Sequence, residues 1–171
     1  KQVFGRKDVI RLDDGMIRIG YFSGSKSHNK DFEAVSEVIS RILEENQNVI
    51  LMVVGDLDLD KKFDVFSNRV ERIGFVPIKR LPELILCVDI NIAPLEIDNP
   101  FCLAKSALKY FEAGILGVPT VASATGDFIR CIRNGENGFV AKTDAEWCEY
   151  LTRLIHDKGL RESIGKAAQM D

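Results

Sequence analysis

Apolar runs alternate with helically spaced apolar positions along almost the whole chain. IRIGYF (17–22) reads as a strand, and KDFEAVSEVISRILEEN (30–46) follows with a helical stripe of Phe32, Val35, Val38, Ile39 and Ile42. VILMVVG (49–55) is apolar at consecutive positions, the mark of a strand buried on both faces. A short helix near 60–67 precedes the strand VERIGFV (70–76), and 78–88 reads as a helix with Pro82 in its first turn. DINIAPL (89–95) is the next strand, and a helix over 105–116 runs into strand PTVAS (119–123). A helix near 126–133, a turn at NGENG (134–138) and a short strand FVA (139–141) come next. Helices over 144–157 and 160–170 close the chain, the first opening on TDAE (143–146), which has the form of a capping box.

Strand alternating with helix about six times predicts an α/β fold with a Rossmann-like, doubly wound parallel sheet of about six strands. Residues 1–16 read as a linker or lead-in segment and 17–171 as one domain. In such sheets ligands gather at the carboxyl ends of the strands. That rule singles out the loops 23–30, 55–59, 76–80, 95–104 and 123–128.

Composition narrows the chemistry. Of 171 residues, 46% are apolar and 29% charged, ordinary globular usage. A net charge of -3 supplies no basic excess for phosphate strands, so no nucleic-acid partner is expected. No apolar run approaches the ~20 residues of a membrane span. Cys87, Cys102, Cys131 and Cys148 are scattered, without a C-x-x-C pair, and His28 and His156 stand far apart. They read as reduced packing residues rather than disulfides or metal ligands, which suits a cytoplasmic setting.

In the first loop, SGSKSHNKD (23–31), the small residues Ser23, Gly24 and Ser25 allow close backbone approach, and Lys30 opens the next helix. Helix-start amides beside a cation suit an anion, with a solvated surface turn as the alternative. The stretch matches neither the ATPase phosphate loop nor the dinucleotide glycine fingerprint. Over 105–116, helical winding sets Lys105, Lys109 and Glu112 on one face and Ala107, Leu108, Phe111 and Ile115 on another. Phe101 and a string of free helix-start amides are expected just before them. A carboxylate there suits vicinal hydroxyls and a lysine suits phosphate. The plainer alternative is a surface Lys109–Glu112 pair worth ~0.2–0.5 kcal/mol. Asp56, Asp58 and Asp60 read as a solvated loop, Trp147 as packing, and Gly126 as a turn glycine or a close approach to phosphate.

YFSGSKSHNKDF, LMVVGDLDL, VERIGFVPIKRLPELILCVDINIAPL and KSALKYFEAGILGVPTVAS…NGENGFVA, in that order, resemble the carboxy-terminal domain of family-four, GT-B-fold retaining glycosyltransferases. The resemblance spans about 17–165 and implies one half of a GT-B fold. It implies a nucleotide-diphosphate sugar as donor, no cofactor, and an acceptor held by an amino-terminal domain of the same protein. Glu112 matches the second glutamate of the family's E-x7-E motif, which grips the ribose, and Lys30 matches the lysine on the donor diphosphate. Lys26 or Ser25 stands near the family's arginine. The turn at 75–77, with Val76, and Leu81 beside it match the segment that reads the base. Phe101, Cys102, Leu103 and Ala104 match the stretch whose amides touch sugar or phosphate.

Ala104 stands where the first motif glutamate belongs, and Lys105 and Ser106 look like its substitutes. The implied catalytic work is stabilisation of the departing diphosphate by Lys30 and Lys105. The implied setting is polysaccharide biosynthesis in the cytoplasm, with peripheral association at the inner membrane face. Two other readings stay open: a noncatalytic nucleotide-binding module, and a nucleotide-sugar epimerase-like domain.

Overall fold

Six consecutive buried residues, Val49–Val54, occupy the middle of one half of the sheet, as their unbroken apolar run predicts. The computed structural model describes residues 14–23, 29–97 and 99–171. Its strands are β1 (Ile17–Phe22), β2 (Val49–Val54), β3 (Val70–Ile73), β4 (Ile90–Ala93), β5 (Thr120–Ser123) and β6 (Phe139–Ala141). All pair in parallel in the order β3-β2-β1-β4-β5-β6, so the direction of winding reverses after β3. This is the expected α/β, Rossmann-like sheet.

The helices are α1 (Asn29–Glu33), α2 (Ser36–Glu45), α3 (Leu81–Ile85), α4 (Pro100–Leu103), α5 (Leu108–Gly114), α6 (Gly126–Cys131), α7 (Asp144–His156) and α8 (Lys158–Met170), with 3-10 turns at Lys61–Phe66 and Ile78–Arg80. One face of the sheet packs Ile19, Tyr21 and Leu51 against Phe32, Ile39, Leu43, Trp147 and Leu151. Phe22, Met52 and Val54 pack the other face with Leu84, Ile85 and Ala113. Trp147 is therefore core. The Thr143 hydroxyl accepts the Glu146 amide while Glu146 accepts the Thr143 amide, so the predicted capping box is formed.

Three predicted helices are cut shorter. The 30–46 helix breaks at Ala34–Val35, which lets Asp31 and Phe32 bury while α2 keeps its own apolar stripe. The 78–88 helix is a 3-10 turn followed by α3, with Pro82 in the first turn as expected. The 105–116 helix begins only at Leu108, leaving Lys105 and Ser106 in the link from α4. No helix among the described residues is long and apolar enough to cross a membrane. Most of the lead-in segment, residues 1–13, lies outside the described residues.

Candidate functional site

A cavity of about 600 Å³ opens where β1, β2 and β4 end. Its floor is Phe22 and Ser23 at the exit of β1 and Val54 and Gly55 at the exit of β2. The strand exits touch: Ser23 N donates to Val54 O at 2.7 Å, and Gly55 has φ +108°. A Cβ at Gly55 would overlap the Ser23 carbonyl oxygen, so only glycine fits there.

One wall is an apolar shelf of Phe75, Val76, Ile78 and Leu81, with Phe75 76% and Ile78 75% exposed. The facing wall carries the polar chemistry: Lys105, Ser106, Lys109 and Glu112, with Leu108 between them. Leu95 is held by Ser123, whose hydroxyl accepts Leu95 N at 2.8 Å and donates to Leu95 O at 2.9 Å. The buried Asn91 amide donates to Lys109 O at 3.2 Å and to Thr120 Oγ1 at 3.0 Å, fastening α5 to two strands.

The charges on this wall are unequal. Lys105 Nζ lies 2.7 Å from Asp31 Oδ2, a carboxylate only 1% exposed, so its charge is already paired. The Lys109 stem reaches inward, and its Nζ is enclosed with no hydrogen-bond partner among the described residues, 4.6 Å from the centroid of the Tyr21 ring. Burial pushes this amine down to about 8; Asp31 and Glu112 oppose the shift and Lys105 adds to it. Burial raises the Glu112 carboxyl above its ordinary range, with Lys109 pulling it back. The surface Lys109–Glu112 ion pair is therefore not formed: the carboxylate is half-buried and the ammonium is enclosed elsewhere.

Of the residues singled out from sequence, Ser23, Val76, Leu81, Lys105, Ser106 and Glu112 line the cavity together. Lys30 lies exposed on α1 and is not among the lining residues. Gly24, like Ser25, Lys26 and His28, falls outside the described residues. Phe101, Leu103 and Ala104 are exposed and Cys102 is buried, all on or beside α4 and away from the lining.

The expected free amides are not found at α4. Phe101 N is capped by Asn99, Cys102 N and Leu103 N donate to Asn99 O, and Ala104 N and Lys105 N close the same turn. The amides of Ser106, Ala107, Leu108 and Lys109, at the start of α5, donate to no group among the described residues. The open donors sit one step later than predicted, because the short α4 spends its own amides. Lys105 does not ride on α5 either, since Asp31 draws it across.

Asp31, Glu96 and Cys102 bring ligand-type atoms within 4.8 Å of one another. They suit a metal ion poorly. The Lys105 ammonium already occupies Asp31, and burial and Asp31 both push the Cys102 thiol up, away from the thiolate a metal needs. Asp58 bonds Asn29, Asp60 caps the turn at Lys61, and Gly126 passes so close to Leu103 O that a Cβ would come within 2.8 Å. Those features belong to the fold. The unpredicted member of the site is Asp31, whose pairing is non-local; the sequence pattern sets Lys109 on the Glu112 face but does not show its enclosure, since its helix buries the opposite side from the one that pattern suggests.

Residues 17–157 match the family model for glycosyl transferases group 1. Spore coat protein SA of Bacillus subtilis (strain 168) is 21% identical over 169 residues, covering 90% of this chain and 44% of that protein. The chain thus spans less than half the length of this curated relative. Anabaena HepE, solved in complex with UDP and glucose, superposes with a TM-score of 0.74 at 20% identity over 91% of this chain and 43% of its own. The C-terminal domain of the Francisella tularensis group 1 glycosyl transferase LpcC gives 0.68 at 20% identity, over 90% of this chain and 83% of that one. These likenesses establish the same fold, and the family match over most of the chain settles its membership: the chain belongs to the glycosyl transferases group 1 family, of which it has the C-terminal half of the GT-B fold.

Proposed function

We propose that this chain is the donor-binding domain of a retaining glycosyltransferase, which transfers a sugar from a nucleoside-diphosphate sugar to an acceptor hydroxyl. The observation that carries this reading is the pairing of two unlike walls across one cavity. An apolar shelf at Phe75–Ile78 faces a wall bearing Glu112, Lys105 and Lys109 at the strand ends. The shelf suits a flat base, the half-buried Glu112 suits two adjacent ribose hydroxyls, and the lysines with the open amides at the start of α5 suit a diphosphate. HepE has been solved with UDP-glucose, which supports a uridine diphosphate donor here.

The costly event in such a transfer is departure of the nucleoside diphosphate as its negative charge grows. Preorganised cations and amides around that charge lower the barrier without rearranging as it develops. Lys105 and Lys109 stand at that end of the wall; Lys30 would reach the same charge only from outside the lining. The acceptor and its activation belong to a second domain that closes the open side, so this chain by itself is expected to bind nucleotide and turn over little. Lipopolysaccharide or related glycans at a membrane surface are the acceptors we favour, since WaaG, which superposes with a TM-score of 0.69, is involved in lipopolysaccharide biosynthesis.

Thermal unfolding with UDP and GDP tests the reading. One of them should raise the melting temperature, and Glu112→Ala should abolish the rise while leaving the unliganded melting temperature within a few degrees. A chain stabilised by neither nucleotide overturns it.

A further inference from the structure

Lys109 is enclosed at its ammonium, has no hydrogen-bond partner among the described residues, and yet lines the cavity with its stem. A buried charge without partners is costly to a fold, and isolated ammonium groups are ordinarily placed at the surface or paired. Here the obvious partner is taken. Asp31, projecting from α1, holds Lys105 at 2.7 Å. Tyr21, from β1, offers only the face of its ring. Glu112, one turn further along α5, acts on Lys109 through space without an ion pair, and Lys105 repels it.

We propose that Lys109 is a diphosphate-holding residue of the donor site, its ammonium kept unmatched by the protein so that the donor's phosphate charge becomes its counter-ion. This rests on the donor-site reading above and adds to it a division of labour between the two lysines. Lys105, tied to Asp31, fixes the link between α4 and α5. Lys109 supplies the positive charge that answers the ligand. The residue is ill-suited to a structural role, because no hydrogen-bonding or ionic group among the described residues pairs with its ammonium, and its anchored backbone brings the stem to the cavity in one orientation.

A diphosphate beside an amine that titrates near 8 favours its protonated form. Binding therefore draws a proton onto Lys109 when the solution is more alkaline than that value. A terminal phosphate has its second ionisation near pH ~6, so the nucleotide's own charge is constant over this range.

The test measures UDP affinity of the unaltered chain and of Lys109→Met by ligand-observed NMR across pH 7 to 9.5, together with melting temperatures without ligand. The expected result is a loss of affinity of roughly tenfold or more in the variant, the size of one hydrogen bond to a charged group. The unaltered chain should lose affinity as pH climbs past about 8, the variant should show no such slope, and the variant should melt no lower. Equal UDP affinity in both proteins overturns the assignment of Lys109 and leaves the donor site standing. Weaker binding in a variant that melts lower, or does not fold, marks a structural lysine and overturns it too. No UDP binding by the unaltered chain overturns the donor-site reading itself, and this inference with it.

Discussion

Lys105 on the link before α5 and Asp31 on α1, 74 positions apart in sequence, meet at 2.7 Å. The carboxylate is 1% exposed and the ammonium 20% exposed, so the two partners have unequal alternatives. Lys105→Met leaves Asp31 buried without the ammonium beside it, and breaking a buried pair from that side costs about 3 kcal/mol. Asp31→Asn should cost less, because the lysine can turn its head to water. Urea unfolding of the two variants checks the order; equal losses would contradict the asymmetry.

Gly55 is fixed by its backbone and by its neighbour. With φ at +108° and the Ser23 carbonyl where a Cβ would stand, Gly55→Ala should cost about 3 kcal/mol or more. Gly74→Ala is the control: nothing lies within 4 Å of its would-be Cβ, and a change of within about 0.5 kcal/mol is expected. Denaturant midpoints give both numbers.

Lys109 carries a pH signature in stability as well as in binding. Its amine is lowered from an ordinary 10.5 to about 8, so between those values the unfolded chain holds a proton that the folded chain has released. Stability contributed at this residue therefore rises with pH across that window, and the penalty is in full force below it. Lys109→Met should be the more stable protein at neutrality, with an advantage of about 3 kcal/mol at ~1.4 kcal/mol per pH unit. That advantage should shrink steadily between pH 8 and 10.5. A constant difference across the window would contradict the buried charge.

The closing helices offer a test of the fold away from the cavity. Thr143→Ala removes one side of the capping box of α7 and should cost about 1 kcal/mol. Trp147→Ala, at 3% exposure within the main core, should cost ~3–5 kcal/mol. Thermal unfolding should leave the first variant folded and the second close to its limit.

The sheet was legible because parallel strands buried on both faces print unbroken apolar runs, as at 49–54, and the capping box and Pro82 are local signals that need no tertiary partner. Helix ends were less legible wherever a distant group intervened. Lys105 leaves α5 for Asp31, and neither residue's own neighbourhood shows the other. The enclosure of the Lys109 head was not legible for a different reason. Periodicity separates two faces of a helix but does not say which is wet, and here Leu108, Phe111 and Ile115 are 56%, 48% and 70% exposed while the lysine head is enclosed. The open amides at the start of α5 were placed at α4 because its four-residue length, which decides where the turn's bonds close, is not written in the composition of the loop.

A single buried carboxamide, that of Asn91, reaches both the main chain at Lys109 and the Thr120 hydroxyl. It acts as a pin that sets the azimuth of α5 against the sheet. Each helical residue turns the chain by about 100°, so one residue inserted or deleted between Lys109 and Glu112 would swing the acid out of the groove with the pin still in place. The number of residues separating them is thus a dimension of the binding surface, as real as a bond length.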